Sequence, residues 1–310
     1  MNKCRAGGNN LAKREEERSG MMEKYVVKND FRCDISDLAA ERRQVNPNIA
    51  GVELRRERAG IGGWERIRIS TPEGARSIGR PMGLYDTLTL PRMCDLDCDE
   101  VDDAKNEVAK GLCRICDAVG ITPEKILVVG LGNRELTPDA VGAMAAETVR
   151  ATSHIKDEDR HLFYSLECSE ITVITPGVTA KSGLDAIEIV RVICDKIRPD
   201  VIFAIDALAA GAPSRLGTTV QICDTGICPG SGLGNRRGEM SRRTLGVPVV
   251  AIGVPTVINS QVFITENGEV RAPMKSEGLF LCPQYVGEMV ENAAKIIGGG
   301  INQAFGLDFY

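Results

Sequence analysis

Residues 125–147 read KILVVGLGNRELTPDAVGAMAAE. Ile126–Gly130 is an apolar run of strand length with no polar alternation, the pattern of a strand covered on both faces. A glycine-bearing loop follows, and the spacing then predicts a helix from about Pro138 to Ala151, with Thr137 as its N-cap and Pro138 at its first position. The same strand-then-helix rhythm recurs downstream. ITVIT (Ile171–Thr175) precedes a helical stretch from about Leu184 to Ile197, and VIFAID (Val201–Asp206) is a third strand. TTVQICD (Thr218–Asp224) and VPVVAIGV (Val247–Val254) are a fourth and fifth, and a helix from about Tyr285 to Ile297 closes the chain. Apolar strands alternating with helices predict an α/β fold, a mostly parallel twisted sheet with helices on both faces.

Upstream the chain is more polar. ERIRIST (Glu65–Thr71) and LYDTLTLP (Leu84–Pro91) read as strands, and Glu100–Val119 has helical spacing, with Val101, Ala104, Val108 and Leu112 on one face. Residues 1–20 carry many charges and no apolar periodicity, which predicts disorder, and Met21 and Met22 offer an alternative start. The expected organisation is an extension over 1–24, a linking region over 25–41, and a single α/β domain over 42–310 whose core is 120–258.

The 310 residues carry a net charge of −5 with 43% hydrophobic and 26% charged positions, which excludes disorder, collagen and coiled coil for the whole chain. The mild negative balance argues against direct, non-specific nucleic-acid binding. The longest apolar stretch, Thr244–Ile258, is too short to span a bilayer and is interrupted by Pro248 and Pro255, so no membrane partner is expected. Eleven scattered cysteines, an odd count, fit reduced thiols in a cytoplasmic compartment.

Most motifs have a structural explanation. Gly130-x-Gly132 follows a strand, but Glu135 stands where a dinucleotide fingerprint needs its third glycine, so a tight strand-to-helix turn is the better reading. Gly230 and Gly232 lie in GSGLGN, which lacks the Lys-Ser/Thr of a phosphate loop and reads as a loop touching substrate beside a site. The pairs Cys113/Cys116, Cys94/Cys98 and Cys223/Cys228 have no second pair at zinc spacing, and no cofactor motif is present. The two histidines, His154 and His161, fall in a charged connection, which disfavours histidine-based catalysis.

Two aspartates stand out. Asp139 is placed in the first turn after the strand Ile126–Gly130, and Asp206 at the carboxyl end of Val201–Asp206. In a doubly wound sheet, residues at the carboxyl ends of neighbouring strands converge on one crevice. A helix N-terminus favours the ionised form of Asp139, whereas burial among Ile205, Ala207 and Leu208 favours the protonated form of Asp206. Carboxyl groups separated in this way divide base and acid roles. The alternative is that both are ordinary residents of a first helical turn and a strand end.

The same residues carry a family resemblance. ILVVGLGNRELTPDAVG (126–142), PDVIFAIDALAAGAPSRLGTTVQICDTGICPGSGLGNRR (199–237) and TLGVPVVAIGVPTV (244–257) resemble the germination proteases of endospore-forming bacteria. Weaker likeness extends to DFRCDISDLAAE and IGRPMGLYDTLTLP. The resemblance implies an atypical aspartic endopeptidase without cofactor or metal, on a fold shared with hydrogenase-maturation proteases and assembled as a homotetramer. It also implies degradation of small acid-soluble spore proteins in the spore core, with cuts after acidic residues. Its catalytic pair falls on Asp139 and Asp206. Arg236 and Arg237, with Gly230 and Gly232, are candidate substrate contacts, and Arg242 and Arg243 follow them. The family's self-processed zymogen implies a propeptide over 25–41, although Arg32-Cys33-Asp34-Ile35-Ser36 departs from the usual motif and the link after Val257 is short. The competing expectations are a metal-dependent maturation protease and a non-catalytic module that binds spore proteins.

Overall fold

The computed structural model describes residues 49–229, 238–260 and 279–307. These all fall within one compact unit, Phe31–Tyr310; a second unit, Met1–Asp30, lies outside the described residues, as do the expected extension and propeptide regions.

The strands are β1 (Val52–Arg58), β2 (Gly63–Ile69), β3 (Gly83–Thr89), β4 (Lys125–Gly130), β5 (Glu170–Ile174), β6 (Val201–Ala210), β7 (Thr219–Cys223), β8 (Val249–Asn259) and β9 (Phe280–Leu281). They form one sheet in the order β1-β2-β3-β7-β8-β6-β4-β5, with β9 added beside β8. The principal helices are α1 (Pro72–Ile78), α2 (Cys98–Ala118), α3 (Val141–Thr148), α4 (Ala186–Ile197) and α5 (Val286–Ala304).

The fold is α/β, as the sequence predicts, and strand direction divides it. The run β8-β6-β4-β5 is parallel throughout. The run β1-β2-β3-β7, and the joint of β7 to β8, are antiparallel. TTVQICD, read from sequence as one more strand of a parallel set, is therefore the seam between the two halves. Direction is invisible in so short an apolar run, and strand β1 is invisible for another reason. Its VELRRER reads as solvated charge, yet it pairs over its full length with β2, setting Arg56 opposite Glu65.

Period-two alternation assigns the faces. Ile126, Val128, Phe203, Ile205, Val220, Ile222, Val250 and Ile252 point to one side, where α2, α3 and α5 bury them. Leu127, Val129, Ile202, Ala204 and Val249 point to the other, under α4. A third cluster on that second side joins Ile67, Ile69 and Tyr85 to Val52 and Ile78 of α1. Helix α5 runs on to Ala304, past the three glycines that end the sequence-predicted helix at Ile297. Those glycines are packing surfaces rather than a stop: a Cβ at Gly298 would collide with Thr148 of α3, and one at Gly300 would lie 2.6 Å from Val108 of α2.

Candidate active site

Strand β4 ends at Gly130, which must be small because α3 crosses it at Gly142; a side chain at either glycine would strike backbone of the other segment or of Ile205. The Leu131 N–H donates to the Ile205 carbonyl at 2.8 Å, tying the exit of β4 to β6. The chain then turns at Gly132, whose φ of +90° places it against Asp139 and leaves no room for a side chain. Thr137–Asp139 form a 3-10 turn, and the helix begins only at Val141 with Ala140 as its unassisted N-cap. The expected N-cap role of Thr137 is thus not realised, and Asp139 precedes the helix instead of lying in its first turn. This turn packs on both β6 and β8. Thr256 of β8, fully buried, anchors it by donating its hydroxyl to the Pro138 carbonyl at 2.6 Å. The half-buried Asp139 carboxylate accepts the Asn133 N–H at 2.8 Å.

Asp206 lies on β6, one residue past the Ile205–Gly130 pairing with β4, and opposite Gly253 of β8. It is 4% exposed, and its carboxylate accepts the Ala207 N–H at 2.9 Å. Alternation puts it on the α4 side of the sheet, with Ala204 before it and Leu208 after it. Strand β6 runs on to Ala210, past the end that the sequence suggested at Asp206, so Asp206 lies mid-strand, one residue beyond the end of the neighbouring β4, while the half-buried Asp139 lies in the turn that follows β4.

The sheet beside Asp206 carries a cavity of about 280 Å³, walled by Leu208, Gln221, Gly253 and Tyr85 and rimmed by Arg80 and Glu239. Burial pushes the Tyr85 phenol above its ordinary range and does the same for the Cys223 thiol. Burial thus favours the protonated form of the Cys223 thiol. His154 and His161 are not brought here. Their helical segment sits at the amino ends of the strands, where Lys156 pairs with Glu170 at the start of β5. Among the described residues no group of three or more His, Cys, Asp or Glu side chains could hold a metal ion, and no helix is long and apolar enough to cross a membrane.

Gly230, Gly232, Arg236 and Arg237 lie outside the described residues. Arg242 and Arg243, just beyond, are exposed, and Arg243 pairs at 2.6 Å with Glu239 at the cavity rim. Sequence reasoning missed Thr256, Gln221 and Gly253. The one available signal was a polar residue, Gln221, inside an otherwise apolar strand.

Comparison with known proteins places this arrangement in a family. Residues 33–268 match the family model for the germination protease peptidases. The germination protease of Caldanaerobacter subterraneus subsp. tengcongensis is 38% identical over 229 residues, 73% of this chain and 69% of that protein. That of Bacillus cereus strain ATCC 10987 is 38% identical over 248 residues, 77% of this chain and 65% of that one. That of Clostridium tetani is 36% identical over 237 residues. The matched part thus spans about two thirds of the length of these relatives. A structural comparison pairs 62% of the chain with a NiFe hydrogenase maturation protease HycI from Thermococcus kodakarensis, at a TM-score of 0.32 and 17% identity. The resemblance seen in the sequence blocks therefore holds across most of the chain, which belongs to the germination protease family.

Proposed function

We propose that this chain is an endopeptidase of spore germination that degrades small acid-soluble spore proteins with the carboxyl pair Asp139 and Asp206. The observation that carries the reading is their place just beyond the end of β4: Asp206 is one residue past the Gly130–Ile205 pairing, and Asp139 is in the turn after β4 that Thr256 pins onto β8. Asp139, more open and hydrogen-bonded by Asn133, is the ionised partner; Asp206, enclosed, is the protonated one. A water held between them loses a proton to Asp139 as its oxygen attacks the scissile carbonyl carbon. Asp206 donates to the carbonyl oxygen as charge gathers there. When the C–N bond breaks, the departing amine takes up a proton from the pair, and product release restores the starting state. The two groups titrate together, so the roles belong to the pair as a unit.

On this reading acidic side chains flanking the cut meet arginines, Arg236 and Arg237 with Arg242 and Arg243, because guanidinium pairs bidentately with carboxylate. Charge reversal at Arg236 and Arg237 raises KM for peptides with acidic sites. The chain is made as a zymogen that removes residues around 25–41, acts in the spore core, and assembles as a homotetramer.

The test is digestion of a purified small acid-soluble spore protein by two forms, the full-length chain and one beginning near Ser36. Cutting by the shorter form alone supports both the peptidase and the zymogen. Digestion by neither form, with both folded, contradicts the reading and favours a module that binds without cutting.

A further inference from the structure

On the second face of the sheet, helix cover is interrupted. Helix α4 closes over β4 and β6, and α1 closes over β2 and β3, but their apolar clusters do not meet. The cavity beside Asp206 is the strip between them. Strand register fixes what lies along its floor. Thr87 of β3 pairs with Gln221 of β7, Gln221 with Gly253 of β8, and Gly253 with Asp206 of β6. Directly paired residues point to the same face, so Thr87, Gln221 and Asp206 form one row, with a gap at the glycine. Adjacent strands are about 4.8 Å apart, which sets the Gln221 and Asp206 backbones at roughly twice that distance.

The Gln221 amide nitrogen is buried and has no hydrogen-bond partner among the described residues. Such a donor costs free energy in the folded protein unless something supplies an acceptor. Leu208, Ala251 and Gly253 offer no side-chain acceptor along the cavity, and none of its polar lining residues, Thr87 among them, bonds to this nitrogen. The Leu208 side chain lies over Gly253, where a Cβ would fall 2.5 Å from it, so the row is interrupted by a leucine resting on bare backbone.

We infer that Gln221 is a substrate-positioning residue, whose amide donates to an oxygen of a polypeptide laid across the strip next to the paired aspartates. The proposal rests on the reading of Asp206 as catalytic. The bound chain lies along the cavity against the Leu208 side chain that covers Gly253, and Gln221 fixes its register. The interaction acts on binding and alignment, and takes no part in proton transfer.

Gln221→Leu keeps the volume and removes the donor; Gln221→Glu keeps the shape and replaces the donor with an acceptor. Both are compared with the unaltered full-length chain, as purified and after self-processing, by three measurements. These are thermal melting, KM and kcat on a small acid-soluble spore protein, and the Kd for that protein measured in an Asp206→Asn background processed in trans by the parent enzyme. The expected results for Gln221→Leu are a melting temperature equal to or above the parent's, a KM about tenfold higher, kcat within twofold, and a Kd raised in step with KM. Gln221→Glu should weaken binding at least as much. A structural role predicts the opposite pattern, a lower melting temperature with unchanged Kd, and that result overturns the proposal. Equal Kd with and without the substitution overturns it alone. Full activity of Asp206→Asn overturns the catalytic reading beneath it, and leaves the binding comparison to judge Gln221 separately.

Discussion

The parallel and antiparallel halves of this one sheet are built by different physics. In β4, β6 and β8 the strands are buried on both faces and contain runs such as ILVV and VIFAI, in which every side chain is apolar. In β1 and β2 charged side chains stand on both faces, set opposite or diagonal to residues of the other sign. Arg56 pairs with Glu65 at 2.8 Å, Arg66 with Glu57 at 2.7 Å, and Arg114 of α2 bridges to Asp86 at 2.9 Å while lying over the Trp64 ring. Where α2 packs on the antiparallel half, Glu107 is sunk into the core to accept the Trp64 indole N–H at 2.9 Å and the Lys110 ammonium at 2.7 Å. The contrast teaches that the apolar half supplies a rigid platform for two carboxyl groups, while the polar half supplies a wall that can be open on one side.

This difference can be broken first in the platform. Phe203, fully buried on β6 and stacked 5.2 Å from Phe305, should cost about 4 kcal/mol when cut to alanine. Urea unfolding checks this, and the loss should be the same at low and high salt. A value below about 1 kcal/mol would mean the parallel half is not held by packing.

The packing of α2 on the antiparallel half should lose less. Glu107→Gln removes the charge that Lys110 answers but leaves an acceptor for Trp64, so the expected loss is about 1–2 kcal/mol. Its pH dependence sharpens the point. Burial works against the Glu107 charge, but the bonds from Lys110, Trp64 and Gly60 outweigh it and hold the carboxyl below its ordinary range. A depressed carboxylate contributes stability above the unfolded pKa, about 4.3, and that contribution drains as pH falls through the folded value. Between pH 6 and 3 the parent should therefore lose more stability than Glu107→Gln, as read from melting temperature. Parallel curves would contradict the assignment. Asp86 is pushed the other way by burial, despite Arg114, but it is present in both proteins and cancels in the difference.

The smallest effect belongs to the exposed charge pairs. Arg56→Ala on the edge strand should cost no more than about 0.5 kcal/mol and vanish in high salt. A loss above 1 kcal/mol would show that the network is worth more than its separate pairs.

The same division explains what could be read from sequence. The parallel strands were legible because unbroken apolar runs of strand length have few explanations. The antiparallel half was harder, since the charges of VELRRER mask a strand whose register only its partner reveals. Thr137 looked like a helix cap, but Thr256 holds the Pro138 carbonyl and the backbone tightens into a 3-10 turn. That contact joins residues 118 positions apart. Gln221 and Gly253 were hidden for the same reason, because their juxtaposition with Asp206 is a property of strand order across β7, β8 and β6. The three glycines of α5 read as a terminus because the helices they touch, α2 and α3, lie far back in the chain.

The central claim is that Asp139 and Asp206 together perform the chemistry. Its most direct test is digestion of a small acid-soluble spore protein by Asp139→Asn and Asp206→Asn, each begun near Ser36, with circular dichroism and melting confirming an intact fold. The account predicts that each substitution alone lowers kcat by on the order of 10³-fold or more, and that the double variant is no worse, as expected of groups acting as a unit. Near-parental kcat in either folded single variant would contradict it.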